Sequence, residues 1–114
     1  MSKRDPELLL QDILTSAEKI ILYTFESNYG DFLKDDRTMD AVVRNFEIIG
    51  EASNRLPDEL KNELQEINWV KIRGFRNRIV HDYFGIDYEI VWDTKEELLP
   101  GLIAAIKIKL NSKD

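Results

Sequence analysis

Apolar residues recur every three or four positions along most of the chain, which is the spacing of one face of an α-helix. The first stripe consists of Leu9, Ile13, Ala17, Ile20 and Thr24. Asp5 is a suitable N-cap and Pro6 a suitable first helical residue, so a helix is predicted to begin there, with Gly30 as its C-cap. No segment alternates apolar and polar residues with a period of two, so no β-sheet is predicted.

A second long helix is predicted from near Asp36 to Leu56. Its inner face consists of Met39, Val42, Val43, Phe46, Ile49 and Ser53. Proline cannot continue a helix but is accepted at a helix start, so Pro57 ends this helix and opens a short one. The short helix is predicted from Asp58 to about Glu66.

A third long helix is predicted after residue 67. Asparagine caps helix starts and glycine is common just past helix ends. The helix is therefore predicted to follow Asn68, to run from Trp69 to about Phe84, and to be closed by Gly85. Its buried side is predicted to contain Ile72, Phe75 and Ile79.

The last helix is predicted to begin after Asp87 as its cap. Its apolar stripe consists of Tyr88, Val91, Trp92, Leu98, Leu102, Ile106 and Leu110. Pro100 is predicted to kink or restart this helix, because Thr94 and Glu97 just before it resemble a capping box. Four long helices and one short one predict an all-α fold, an up-and-down helical bundle that forms a single domain over residues 1–114.

Two features within the predicted helices could be mistaken for functional sites. Glycine inside a helix costs about 1 kcal/mol, and we interpret Gly50 and Gly74 as points of close helix–helix approach. Two carboxylate pairs are one turn apart, Asp36 with Asp40 and Glu47 with Glu51. Helical bundles that hold two metals also use Glu-x-x-His, which this sequence lacks, so we interpret the pairs as solvated surface and predict no metal site.

Composition narrows the class of protein. The chain has 114 residues, 43% of them hydrophobic and 33% charged, as in a globular domain. It has no cysteine, which excludes disulfides and thiolate catalysis. No apolar run reaches the about 18–20 residues that a membrane span needs, and the first residues lack the apolar segment of a signal peptide. We therefore expect a cytoplasmic location and no membrane partner.

The charge balance restricts any nucleic-acid site to a local one. The 16 basic and 22 acidic residues give a net charge of −6, which argues against a general nucleic-acid coat. Four basic residues nevertheless fall within eight positions, beside the only histidine, His81. They are Lys71, Arg73, Arg76 and Arg78.

Helical geometry predicts one polar patch around this histidine. Asn77 and His81 are one turn apart, and Arg76 and Tyr83 deviate from a single stripe by only about 20°. All four side chains are therefore predicted to lie together beside the core. Asn77 is placed to bind one imidazole nitrogen, which would fix the tautomer of the ring.

Two interpretations of the patch remain open. In the first, His81 is a solvated side chain and the arginines are ordinary partners for surface carboxylates. In the second, the imidazole, whose unperturbed pKa is about 6.5, is a general acid or base, and Arg76 binds a phosphate. Metal-independent RNA cleavage suits this pair, because the 2′-hydroxyl supplies the nucleophile.

The second interpretation favours a symmetric dimer. RNA cleavage needs both a base and an acid, and two copies of the patch would supply them. The dimer would also double the local basic charge and so form a groove for the RNA backbone. Lys71, Arg73 and Arg78 are the candidate RNA contacts beside Arg76.

The sequence from Arg76 to Tyr83 resembles the Arg-x4-His-x-Tyr signature of HEPN-domain proteins of the HepT type. Further resemblance lies in residues 43–52, in Asn68-Trp69 and in residues 83–87, and it covers roughly residues 8–110 in all. The connector at residues 64–68 departs from the family pattern because it lacks an expected proline.

The resemblance implies a specific function. HepT proteins are toxins of bacterial and archaeal type VII toxin–antitoxin pairs, and act as homodimeric ribonucleases without a cofactor. Their partner, a minimal nucleotidyltransferase of the MntA type, silences them by transferring AMP from ATP to the motif tyrosine. By similarity, Arg76 and His81 take the catalytic places, Asn77 supports them, and Tyr83 is the AMPylated residue and should be partly exposed. The alternative is a non-catalytic nucleotide- or partner-binding subunit of a nucleotidyltransferase complex.

Overall fold

A computed structural model of the chain describes residues 4–81 and 85–112, with the backbone alone for residues 80–81. The described parts contain helices and no strand, so the predicted all-α class is confirmed. The helices are α1 (Pro6–Thr24), α2 (Tyr29–Leu33), α3 (Asp36–Arg55), α4 (Asp58–Glu63), α5 (Trp69–His81) and α6 (Tyr88–Asn111). None of the helices in these ranges has both the length and the apolar content that crossing a bilayer requires.

The start of α1 is as the sequence predicts. The Asp5 carboxylate accepts a hydrogen bond from the Glu7 backbone N–H at 2.8 Å, and Pro6 is the first helical residue. The whole predicted stripe is buried, namely Leu9, Ile13, Ala17, Ile20 and Thr24. The helix therefore turns this stripe toward the core along its full length.

The predicted end of α1 at Gly30 is wrong. The helix ends at Thr24, and the chain turns through Glu26, whose φ of 64° is unusual for a residue other than glycine. The side chain of Asn28 then accepts a hydrogen bond from the Asp31 backbone N–H at 2.8 Å and caps α2. Gly30 lies inside this short helix, which the sequence analysis missed.

The bounds of α3 match the prediction, whereas α4 is shorter than predicted. Asp35 caps α3 by accepting a hydrogen bond from the Thr38 N–H at 3.1 Å. The short helix α4 ends at Glu63 rather than near Glu66. Leu64 and Ile67, which follow it, are both 4% exposed. The connector that follows α4 is not helical, but these two side chains pack into the core.

The core lies between the four long helices. Helix α1 packs against α3 and α6, and α3 packs in turn against α5. The short helix α2 inserts Phe32, which is 1% exposed, and its ring centroid lies 5.2 Å from that of Trp92. Helix α5 has its most extensive packing against α3, and it meets α6 at fewer positions.

Helix α6 continues through Pro100, so of the predicted kink or restart the restart is wrong, and the kink stays a prediction. Proline removes one backbone hydrogen bond, but Leu99 and Leu102 on either side are 0% and 2% exposed. Their burial holds both halves of the helix on the same core. Thr94, which the capping-box pattern placed at a helix start, is instead a buried residue within the helix.

Candidate active site

Helix α5 is fixed at its start and along its inner face. The Asn68 side chain accepts a hydrogen bond from the Lys71 backbone N–H at 3.0 Å, which confirms it as the cap. Ile72 and Ile79 are 3% and 4% exposed. Between them, the Phe75 ring packs edge-on against Phe46 of α3, with ring centroids 4.9 Å apart. These contacts set the rotation of α5, and therefore the direction of its polar residues.

The aliphatic stem of Arg76 lies directly on Gly50 of α3. A β-carbon placed on Gly50 would come well within 3.0 Å of both the Cβ and the Cγ of Arg76, closer than atoms of a packed core approach. Gly50 is buried, and the prediction that it marks a close helix–helix approach is confirmed. The missing side chain at position 50 is what allows Arg76 to lie against α3.

The same prediction is wrong for Gly74 within the described chain. This residue is exposed, and a β-carbon there would meet no atom within 4 Å among the described residues. Gly74 precedes Phe75 by one residue, and so lies about 100° around the helix from the packed face. A glycine within a predicted helix does not by itself indicate whether that position faces another helix or solvent.

The guanidinium of Arg76 is bound by Glu51, the residue after Gly50. Arg76 Nη2 donates a hydrogen bond to Glu51 Oε2 at 3.0 Å. The second carboxylate oxygen of Glu51 accepts a hydrogen bond from Arg55 Nη2, also at 3.0 Å. The side chain of Arg76 is 30% exposed, so its charge reaches solvent although its stem is covered.

The interpretation of Glu51 as solvated surface is confirmed by its exposure, but it missed the ion pairs that this carboxylate makes. Its side chain is 47% exposed, but it connects two arginines. The partner on α5 is 25 residues away in sequence, and helical periodicity carries no information about such a pair. The sequence held one usable signal, which is that Glu51 directly follows the glycine at the helix contact.

The position of the histidine is described at the level of the backbone. Helix α5 is unbroken through His81, so the one-turn spacing from the exposed Asn77 to His81 holds. The predicted contact between Asn77 and the imidazole lies outside the described atoms. The predictions for Tyr83, and for the end of α5 near Phe84, lie outside the described residues.

The basic residues around the motif differ in their surroundings. Lys71 Nζ lies 2.8 Å from Glu97 Oε2 of α6 and forms an ion pair with it. Arg73 and Arg78 are exposed, and Arg78 also lines a small cleft between α5 and the start of α6. Lys71 is therefore partly neutralised, whereas Arg73 makes no ion pair among the described residues and presents its charge at the surface.

Comparison with known proteins assigns the family. A family model described as Ribonuclease HepT-like matches residues 13–108. The chain belongs to the HepT-like ribonuclease family. Its reaction class is therefore ribonuclease, and the resemblance of the Arg76–Tyr83 segment to HepT proteins is confirmed.

Relatives match the HepT-like chain over most of its length. A provisionally named RNase of Methanocaldococcus jannaschii is 38% identical over 107 residues, which is 94% of this chain and 88% of that protein. A probable ribonuclease HepT of Thermococcus cleftensis is 40% identical over 100 residues, covering 88% and 91%. A provisionally named RNase of Caldanaerobacter subterraneus is 36% identical over 104 residues, covering 91% and 93%. No solved structure matches the chain.

Proposed function

We propose that this HepT-like chain is the toxin of a type VII toxin–antitoxin pair and cleaves RNA as a metal-independent endoribonuclease. The observation that carries the proposal is the seating of Arg76. Its stem lies on Gly50, one edge of its guanidinium is bound by Glu51, and its charge reaches solvent on the helix that contains His81. A fixed, accessible guanidinium is the group that best binds a phosphate.

The proposed reaction assigns one role to each motif residue. The 2′-oxygen of RNA attacks the adjacent phosphorus, and the bond from phosphorus to the 5′-oxygen breaks. One His81 imidazole accepts the proton of the 2′-hydroxyl, and a protonated imidazole donates a proton to the departing 5′-oxygen. Arg76 stabilises the negative charge on the phosphorane oxygens in the transition state.

Two imidazoles in this reaction imply a two-fold dimer, since each chain has one histidine. The exposed face of α5 between Lys71 and His81 is proposed to form the interface or to border it. Support comes from Val70, which is 76% exposed just before this segment, and from Gly74, whose bare α-carbon faces solvent. An exposed apolar residue near an exposed glycine leaves room for a second copy of the same helix to approach.

The experiment that tests the proposal is incubation of purified, unmodified protein with total RNA. Arg76→Ala and His81→Ala should each lower the cleavage rate by about 10²–10⁴-fold, because each removes a group that acts in the transition state. A chelator should leave the rate unchanged. Arg37→Ala, at an exposed arginine near the start of α3, is the matched control and should cleave at the wild-type rate.

Two outcomes would contradict this function. Equal cleavage by the wild type and both motif variants would assign the activity to another site or to a contaminant. Intact RNA after incubation with dimeric wild type would leave the alternative, a non-catalytic subunit that binds a nucleotidyltransferase or a nucleotide.

The proposed silencing step is AMPylation of Tyr83 by a cognate MntA-type nucleotidyltransferase. Tyr83 follows His81 by two residues, so AMP on its hydroxyl would bring a phosphate to Arg76 and compete with RNA. Mass spectrometry after incubation with the partner and ATP should find AMP on Tyr83. Tyr23, which is 40% exposed, is an accessible internal control and should stay unmodified. Full neutralisation of Tyr83→Phe by the partner would mean that silencing is steric.

A further inference from the structure

We propose that Glu51 is a positioning residue for Arg76, supplied by a different helix from the one that carries the motif. The inference rests on the proposed function only for the role of Arg76 as phosphate binder. The contact itself is a property of the fold, since it joins α3 to α5 across 25 residues.

The carboxylate of Glu51 is bound both by a residue of its own helix and by Arg76 of α5. Arg55, one turn later on α3, donates to Oε1, while Oε2 accepts from Arg76. Each oxygen therefore has its own guanidinium, and the carboxylate is oriented between the two groups. Such a carboxylate defines a direction for Arg76 more closely than a singly bound one, because rotation about its last bond would break both hydrogen bonds.

The contact uses one edge of the Arg76 guanidinium and leaves the others available. Arginine has five N–H donors in a planar fork. Among the described residues, Glu51 is the acceptor that Arg76 binds, through Nη2. Nε and Nη1 make no hydrogen bond to the described residues and can donate to a phosphate, and their direction follows from the contact with Glu51. Arg76 is thereby fixed at two points, its stem on Gly50 and its tip on Glu51.

The effect of Glu51 on the position of Arg76 can be distinguished from its effect on the attraction of RNA, because the two effects have opposite signs. Arg55, Glu51 and Arg76 together carry a charge of about +1 at neutral pH. Removing the carboxylate raises the local positive charge and should strengthen the attraction of RNA. The same change frees the Arg76 guanidinium to rotate and should lower the rate of the chemical step. A positioning residue therefore predicts a lower kcat with an unchanged or lower KM.

Glu47 provides a matched control on the same helix. It lies one turn before Glu51, carries the same charge and is partly exposed. It makes no ion pair with any residue of the described chain. Glu47→Ala therefore changes the charge of α3 by the same amount as Glu51→Ala without touching Arg76.

The kinetic experiment measures kcat and KM on a short RNA for three variants. Glu51→Ala should lower kcat about tenfold without raising KM. Glu51→Gln should lower it less, because the amide oxygen still accepts a hydrogen bond from Arg76. Glu47→Ala should stay within about twofold of the wild type in kcat. An unchanged kcat in Glu51→Ala, or an equal loss in Glu47→Ala, would overturn the proposal.

A second measurement tests the contact without relying on activity. In nitrogen-15 NMR of the arginine side chains, hindered rotation of the Arg76 guanidinium is expected in the wild type and in Glu47→Ala. Glu51→Ala should release it, and free rotation in the wild type would overturn the proposal. The proposed ribonuclease function fails by a different result, which is that Arg76→Ala leaves cleavage unchanged. That result does not depend on the NMR spectra. Equal urea unfolding midpoints of the variants would exclude misfolding as the cause of a lost kcat.

Discussion

At the scale of single residues, two helical glycines have opposite surroundings. Gly50 is buried against the stem of Arg76, whereas Gly101 of α6 is exposed and has no neighbour within 4 Å of a built β-carbon. Both lie in helix interiors and have negative φ. The two positions therefore isolate the effect of packing from the effect of helix propensity.

Alanine at these positions should change stability in opposite directions. Gly101→Ala should raise the free energy of unfolding by about 0.5–1 kcal/mol, because alanine is the better helix former and meets no atom. Gly50→Ala should lower it by about 1–3 kcal/mol, because the new methyl group overpacks the contact between α3 and α5. Urea unfolding of both variants measures the difference. A Gly50→Ala protein as stable as the wild type would show that α5 can move away from α3 at little cost.

At the scale of elements, α2 is the shortest of the described helices, and one buried ring holds it on the core. Its single buried residue, Phe32, contacts the rings of Trp92 and Tyr88 on α6. The helix also packs against α3, so it links two of the long helices. A five-residue helix has no stability of its own, and these contacts are what keep it folded.

Phe32→Ala should lower the free energy of unfolding by about 3–5 kcal/mol, the usual cost of removing a buried ring. Leu33→Ala is the matched control, since its neighbouring side chain is 43% exposed and should matter little. Thermal or urea unfolding checks both variants. Similar stabilities would mean that the core closes over the space left by the ring.

The elements also show why sequence analysis predicted some features and missed others. The long helices were predictable because their apolar stripes span several turns and their caps, Asp5 and Asn68 among them, are local signals. The helix α2 was missed because five residues are too few to display a period. In the candidate site, the spacing within α5 followed from helical geometry. The pairing of Glu51 with Arg76 did not, because it depends on how two distant helices pack.

At the scale of the whole molecule, a basic motif lies on an acidic protein. The net charge of −6 repels RNA at a distance, so any attraction of RNA must be local, and four basic residues are concentrated on α5. Within this group, Lys71 is paired with Glu97, whereas Arg73 is exposed and has no ion pair in the described parts of the chain. The two residues should therefore contribute unequally to RNA binding.

Salt dependence should reveal this difference. Each phosphate contact to a single strand contributes about −0.7 to the slope of log affinity against log salt. Arg73→Ala should make that slope shallower by about this amount, and Lys71→Ala should change it much less, because Glu97 already neutralises the ammonium. RNA binding measured by fluorescence anisotropy over a range of salt concentrations checks both. Equal changes in slope would mean that Lys71 leaves Glu97 for the RNA.

The packing of α5 mainly against α3 has a consequence for local opening. A helix held chiefly from one side can detach while the rest of the bundle stays folded, so its amide protons should exchange faster than those of α1, which lies between α3 and α6. Hydrogen exchange should then become slower in α5 when a second copy covers its outer face. In the proposed dimer, α5 would thus open less often than in the single chain, and dilution would loosen this helix before it unfolds the rest of the protein.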